Sequence, residues 1–163
     1  KVQETSQWAD MTVEQILALV KEKGYQAKHI VITGGEPCME DLTPLCGAFE
    51  QLGYSTQVET SGTFDIRVSD NCWVTVSPKI NMRGGYPILN SAMIRANEIK
   101  HPIATEQHVS DLKKLLAEHK VDNTAIYLQP ISQKPRATEL AIATCIANNW
   151  RLSVQVHKYL GIE

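Results

Sequence analysis

No uncharged apolar run in this sequence approaches the roughly 18 residues that a membrane-spanning helix needs, and no leader of the secretory type opens it. Blocks of like charge are missing as well. The 16 Lys and Arg residues and 18 Asp and Glu residues are scattered and leave a net charge of −2, which excludes the basic footprint of a nucleic-acid binder and the patch of a membrane-surface protein. The expectation is a soluble, cytoplasmic protein that binds small molecules, with neither nucleic acid nor membrane among its partners. Metal-ligand spacing is equally absent. Cys38, Cys46, Cys72 and Cys145 form no Cys-x-x-Cys pair, and His29, His101, His108, His119 and His157 show no two-histidine helical spacing. Reduced, mostly buried thiols and no metal site made by this chain alone are expected.

Internal repeats and low-complexity stretches are also lacking. With 163 residues, 43% of them hydrophobic and 21% charged, the composition suits one ordinary domain spanning 1–163. The first residue is Lys1 rather than a methionine, and residues 1–10 read as a linker entering a helix. A preceding segment is therefore expected.

Helical and strand patterns alternate throughout. Thr12 and Gln15 form a capping-box pair ahead of Val13, Ile16, Leu17 and Val20, with Gly24 closing that helix. A second helix carries Leu42, Leu45, Cys46, Phe49 and Leu52 on one stripe and stops at Gly53. Further helices are predicted around Leu89–Ala96, around Val109–Leu116 and after Pro135. Between them lie six strands: one through Val31, one through Val58, Trp73–Val76, a short one around Ile99, Ala125–Leu128 and Leu152–Val156. Strands bounded by helices imply parallel pairing and right-handed crossovers, hence an α/β barrel or open sheet.

The strand ends share one character. Thr33-Gly-Gly-Glu-Pro37, Glu59-Thr-Ser-Gly62, Ser77-Pro-Lys79, Lys100-His-Pro102, Gln129-Pro130 and Gln155 to Lys158 are polar or turn-forming, and groups converging from many strand ends describe one pocket on a barrel-like face. Gly34 and Gly35 let the backbone approach a ligand and present its N–H groups, and Glu36 supplies a negative charge that an ammonium could answer. Residues 80–86 form the most loop-like stretch. They read as an ordinary connection, with a cover over the pocket as the alternative.

Thr33-Gly-Gly-Glu-Pro37, Glu59-Thr-Ser-Gly62, Val76-Ser-Pro-Lys79, Leu128-Gln-Pro-Ile-Ser132 and Val156-His-Lys-Tyr159, in that order, resemble the 7-carboxy-7-deazaguanine synthase family of the radical S-adenosylmethionine superfamily. The resemblance runs over essentially the whole chain. It implies a partial TIM-like (β/α)6 barrel whose first βα unit precedes this chain. It also implies a lyase activity that contracts 6-carboxy-5,6,7,8-tetrahydropterin to 7-carboxy-7-deazaguanine on the route to queuosine. The implied cofactors are S-adenosylmethionine, a 4Fe-4S cluster and Mg2+. The family's Cys-x3-Cys-x2-Cys cluster motif is not found in this sequence, so the ligands of cluster and magnesium are expected upstream and the fragment alone is expected to be inactive. A homodimer, a small-molecule pterin substrate and an external reductant complete the implied partners.

By position, Thr33, His157 and the terminal carboxylate of Glu163 resemble substrate contacts. Gly35 and Glu36 resemble the cradle of the cofactor's methionine amino group. Ser77, Pro78 and Lys79 resemble ribose and carboxylate contacts, and Gln129, Pro130, Ile131 and Ser132 the segment facing the adenine. Glu59 stays open between a turn stabiliser and a ligand contact. Two other readings of the residues also stay open. One is a Schiff-base barrel enzyme using Lys79 or Lys100, and the other a non-catalytic nucleotide-binding remnant.

Overall fold

The first helix, α1 (Val13–Glu22), begins where its capping box dictates. The Thr12 N–H donates to Gln15 Oε1 at 2.8 Å and the Gln15 N–H to Thr12 Oγ1 at 3.3 Å, satisfying two donors that the helix leaves unpaired. Seen in a computed structural model that describes residues 9–80, 85–121, 124–131 and 134–161, the chain continues as strands and helices that alternate except between β2 and β3. β1 (His29–Ile32) leads through a single 3-10 turn, Pro37–Met39, to α2 (Thr43–Gln51), and β2 (Ser55–Thr60) is followed by β3 (Trp73–Val76). Then come α3 (Asn90–Arg95), β4 (Glu98–Ile103), α4 (Glu106–Glu118), β5 (Ala125–Pro130), α5 (Pro135–Asn148), β6 (Arg151–Leu152) and α6 (Val156–Leu160).

All neighbouring strands pair in parallel and the sheet order is β1 to β6 in sequence. When every crossover steps the same way with the same hand, the helices gather on one face. That face carries the alternate residues Val58, Val74, Val76, Ile99, Ile103, Ile126 and Leu128, all buried, against Cys46 and Phe49 of α2, Leu112 of α4 and Ala141 of α5. Fully burying a Val, Leu or Ile side chain is worth about 1.5–3 kcal/mol, so this layer is what holds the sheet. The sheet is an open, partial barrel: β1 and β6 each have one strand neighbour among the described residues, and they do not pair with each other. Val31, on the free edge, is 45% exposed.

The opposite face is polar and half-buried. A line of hydrogen bonds crosses four strands: His29 Nε2 to Gln57 Oε1 at 3.0 Å, Gln57 Nε2 to Thr75 Oγ1 at 2.9 Å, and Thr75 Oγ1 to Glu98 Oε1 at 2.9 Å. One residue pair further toward the carboxyl ends, Lys100 Nζ meets Glu59 Oε1 at 2.6 Å. A sheet that is apolar on its helix side and polar on its open side presents its chemistry to whatever enters the half-barrel.

Five expectations need correction. β4 is a full strand of six residues, so Lys100, His101 and Pro102 lie within it rather than beyond its end. Pro102 is tolerated because β3 pairs only with Glu98 and Ile99, leaving the rest of β4 a free edge on that side. β5 likewise runs on through Gln129 and Pro130. β6 stops at Leu152, and Val156 opens a short helix, so Gln155 to Lys158 are not a strand end. Leu52 is 58% exposed and outside the core, because α2 ends at Gln51 and the chain turns at Gly53 with φ +80. The apolar stripe of α1 also contributes no fully buried residue.

Candidate functional site

At the carboxyl end of β1 the backbone takes two successive left-handed residues, Gly34 (φ +94) and Gly35 (φ +52). A Cβ at either would meet nothing within 4 Å. The glycines therefore answer a backbone demand, not a packing one, and leave exposed peptide groups at the rim. Glu36 follows, and its carboxylate is heavily engaged. Oε1 accepts from Thr60 Oγ1 at 2.6 Å and from the Cys38 N–H at 3.1 Å. Oε2 accepts from the Ser61 N–H at 2.8 Å and from the Ser61 hydroxyl. Burial alone would push this carboxyl's pKa up, but the hydrogen bonds from Ser61, Thr60 and Cys38 outweigh it and hold it below the ordinary value. Glu36 thus caps the 3-10 turn and ties the end of β1 to the end of β2. The N-cap of α2, Leu42, has no side-chain cap, and just ahead of it Asp41 Oδ1 accepts from the Thr43 N–H at 2.9 Å.

The Glu59-Thr-Ser-Gly62 segment is the hub of the rim. The Thr60 carbonyl accepts from the Ser77 N–H at 2.7 Å, fastening the Ser77–Lys79 segment to it, and the Gly62 carbonyl accepts from the Leu89 N–H at 2.8 Å. Gly62 has φ +78, and a Cβ there would stand 2.9 Å from Val76 Cγ1. Gly62→Ala is therefore expected to destabilise the fold by about 2–4 kcal/mol, the sum of a left-handed backbone penalty and overpacking. Urea unfolding checks this, and an unchanged midpoint would contradict it. Glu59 itself pairs with Lys100 on the open face. That contact is the structural partner Glu59 has, and it gives Lys100 a counter-charge, unlike the uncompensated apolar setting that activates a Schiff-base lysine.

Beyond β3, Pro78, Lys79 and Ile131 border a cleft of about 390 Å³ that also takes in His101, His108 and Asp111. Of these, the sequence reading had singled out His101 only as part of a polar strand end. Its position in the alternation Ile99, His101, Ile103 was the available signal, because it puts an imidazole on the buried face. His101 is 6% exposed. Burial first, and then the neighbouring His108, push its pKa down to about 4, while a hydrogen bond to the Pro78 carbonyl works the other way. Its Nδ1 has no hydrogen-bond partner among the described residues.

Thr33, Gly35, Glu36, Ser77, Pro78, Lys79, Gln129, Pro130 and Ile131 thus sit at the carboxyl ends of β1, β3 and β5, on one side of the sheet's edge. Thr33 is exposed and Gln129 half-buried. Ser132 and Glu163 lie outside the described residues, as do residues 81–84 of the loop-like stretch. His157 falls on α6, not at a strand end, and its side chain is likewise outside the description. The four cysteines are free and buried, in the 3-10 turn, α2, the approach to β3 and α5, and no cluster of three His, Cys, Asp or Glu side chains suited to a metal occurs among the described residues. Among those residues, too, no helix is long and apolar enough to cross a membrane.

A parallel sheet wound in one direction, open on its polar face and carrying glycines, hydroxyls and a carboxylate on its carboxyl rim, defines a partial-barrel α/β protein with a candidate ligand site at the strand ends. No family model matches the chain. It is 54% identical over 163 residues to 7-carboxy-7-deazaguanine synthase of Escherichia coli (strain K12), covering 99% of this chain and 73% of that protein. It is 44% identical over 164 residues to the synthase of the same name from Buchnera aphidicola subsp. Schizaphis graminum, covering 100% of this chain and 73% of that one. The crystal structure of QueE from Escherichia coli superimposes with a TM-score of 0.89 at 53% identity, over 95% of this chain and 68% of that structure. The chain belongs to the 7-carboxy-7-deazaguanine synthase family.

Proposed function

We propose that this chain provides the S-adenosylmethionine and pterin binding surface of a radical enzyme that converts 6-carboxy-5,6,7,8-tetrahydropterin to 7-carboxy-7-deazaguanine in queuosine biosynthesis. The observation that carries the reading is family membership along nearly the whole chain, with the motifs of β1, β2, β3 and β5 gathered on one rim. The cradle fits the cofactor. Open space beside Gly34 and Gly35 suits a close-lying amino acid moiety, and Glu36 supplies a fixed negative charge on the same rim. In this reading Ser77 and Lys79 hold the ribose and carboxylate, Gln129 and Ile131 border the adenine, and Thr33 meets the substrate. His157, Ser132 and the Glu163 carboxylate are carried as contacts by resemblance alone. When bound and reduced, the cofactor supplies the species that takes a hydrogen from the substrate. The chain's own groups orient it at the rim.

A 4Fe-4S cluster does not fit the four cysteines, which are buried on separate elements. We assign the cluster and magnesium ligands to residues outside 1–163 and derive no step through either group. A homodimer, a cytoplasmic location and an external reductant belong to the same proposal. Anaerobic reconstitution tests it. Residues 1–163 alone are expected to give no stoichiometric cluster and no 5′-deoxyadenosine, whereas the complete gene product is expected to form 7-carboxy-7-deazaguanine from the tetrahydropterin. A borohydride-trapped adduct on Lys79 or Lys100, with no deazaguanine formed, would instead support the Schiff-base reading.

A further inference from the structure

The polar face of the half-barrel changes character from one row of side chains to the next. In the row from His29 to Glu98 the hydrogen bonds run from neighbour to neighbour across four strands. The row nearer the rim is different. Lys100 Nζ donates to Glu59 Oε1 at 2.6 Å, and among the described residues this is the one hydrogen bond either side chain makes. Tyr127, beside Lys100 in the register, is taken by Arg151, whose Nη1 donates to the tyrosine hydroxyl at 2.9 Å. An acceptor oxygen of Glu59 and two ammonium hydrogens of Lys100 are thus left side by side. Both side chains are within reach of a ligand, at 31% and 22% exposed.

Stability does not explain the pair. Glu59 lies on β2 and Lys100 on β4, so their contact passes over β3, where Thr75, opposite Glu59 in the register, is fully buried. Ordering two long side chains across a whole strand is costly, and a bridge between partly exposed charges returns little. Position suggests another use. The pairing of β1 with β2 runs to Ile32 and Val58, which sets Thr33 and Glu59 side by side at the next step, and Thr33 is the residue that meets the substrate in the reading above.

An acceptor beside a donor complements a ring edge that carries an N–H beside a carbonyl. We propose that Lys100 is a specificity-determining residue that works with Glu59 to read the 2-amino-4-oxo edge of the pterin. Lys100 donates to the 4-oxo group and, through the bridge, holds the carboxylate where it accepts from the ring N–H and the 2-amino group. The inference rests on the pterin reading above, to which it adds the groups that select this edge.

Calorimetric titration of the complete gene product with 6-carboxypterin and with 6-carboxylumazine, in which a 2-oxo group replaces the amine, tests this without turnover. The wild type is expected to bind the lumazine about tenfold or more weakly, because an oxo group would face the carboxylate. Lys100→Met is expected to weaken pterin binding about tenfold and to shrink the preference, whereas Lys100→Arg keeps the charge and is expected to retain most of both. Glu59→Gln, whose amide can meet an oxo group as well as an amine, is expected to bind the two ligands alike, and it decides the matter if Lys100→Met does not fold. Equal affinities in the wild type, a preference that survives intact in Glu59→Gln, or a Lys100→Met protein with a lowered melting temperature but unchanged pterin affinity and preference would overturn the inference and leave the proposed function standing. A wild type that binds neither pterin and forms no deazaguanine from the tetrahydropterin would overturn the proposed function and this inference with it.

Discussion

Glu36→Gln is expected to lower the stability of the chain by about 2–4 kcal/mol and, in the cofactor-binding protein, to weaken S-adenosylmethionine binding roughly 10- to 150-fold. The stability loss follows from the geometry at the rim. Four donors converge on the carboxylate from Cys38, Thr60 and Ser61, two on each oxygen. A carboxylamide presents an NH2 group where one oxygen stood, so at least one hydroxyl or amide donor loses its acceptor and the remaining bonds lose their charge assistance. The affinity loss is the further consequence of removing the negative charge that the proposed cofactor ammonium answers. A charge-assisted contact of about 1.5–3 kcal/mol corresponds to that range at 1.4 kcal/mol per factor of ten. Thermal unfolding and cofactor titration separate the two parts. A lowered melting temperature with unchanged affinity would reduce Glu36 to a brace, and an unchanged melting temperature would contradict the hydrogen-bond account itself.

Acid is expected to destabilise the protein well before its carboxylates protonate, and His101 is the reason. Its pKa lies at about 4 in the fold against an ordinary value of 6.5, because burial disfavours the imidazolium and His108 and Lys79 add like charge, with Asp111 and the Pro78 carbonyl only partly offsetting them. The folded pKa is depressed, so between these two values the unfolded chain binds the proton that the folded chain refuses. The stabilisation is whole above about pH 6.5 and drains away as pH falls toward 4. Its full size, about 2.5 pKa steps at 1.36 kcal/mol each, is roughly 3 kcal/mol. Glu36 contributes in a lower window, below the ordinary carboxylate range, because its pKa is lowered. Urea denaturation from pH 7.5 to 4 should therefore show a falling stability whose upper part disappears in His101→Gln. A variant that loses stability over pH 6.5 to 4 as steeply as the wild type would show that His101 is not the group.

How far the sequence carried these conclusions depends on the range over which each signal acts. The capping box at Thr12 and Gln15, the stop at Gly53 and the start at Pro135 are local, and each marks its element within a residue or two. The alternation of Val74 and Val76 in β3 and of Ile126 and Leu128 in β5 names the buried face without further help. Local signals failed where a neighbour decides. Pro102 reads as a strand terminator until β3 is seen to stop pairing at Ile99. Gln155 to Lys158 read as a strand end until Val156 is seen to open a helix. The apolar stripe of α1 predicts burial that no described element supplies in full. At the site, the Gly-Gly-Glu-Pro turn announces itself, but the partners of Glu36 lie at Thr60 and Ser61, on another strand, and nothing in the spacing points to them. His101 was hidden for a similar reason, since an imidazole among apolar residues becomes informative only when its unpaired nitrogen and the cleft beside it are seen together.

The central claim is that the carboxyl rim of this sheet is one cofactor site, and its most direct test is a map of where the ligand lands. Titrating S-adenosylhomocysteine into 15N-labelled protein and following the amide resonances measures this residue by residue. The account predicts shifts concentrated at Gly34, Gly35, Ser61, Ser77, Lys79 and Gln129, with the far end of the sheet, His29 and Ser55, undisturbed. Saturable binding that leaves Gly34 to Glu36 and Ser77 to Lys79 unshifted and perturbs the amino end of the sheet instead would contradict it.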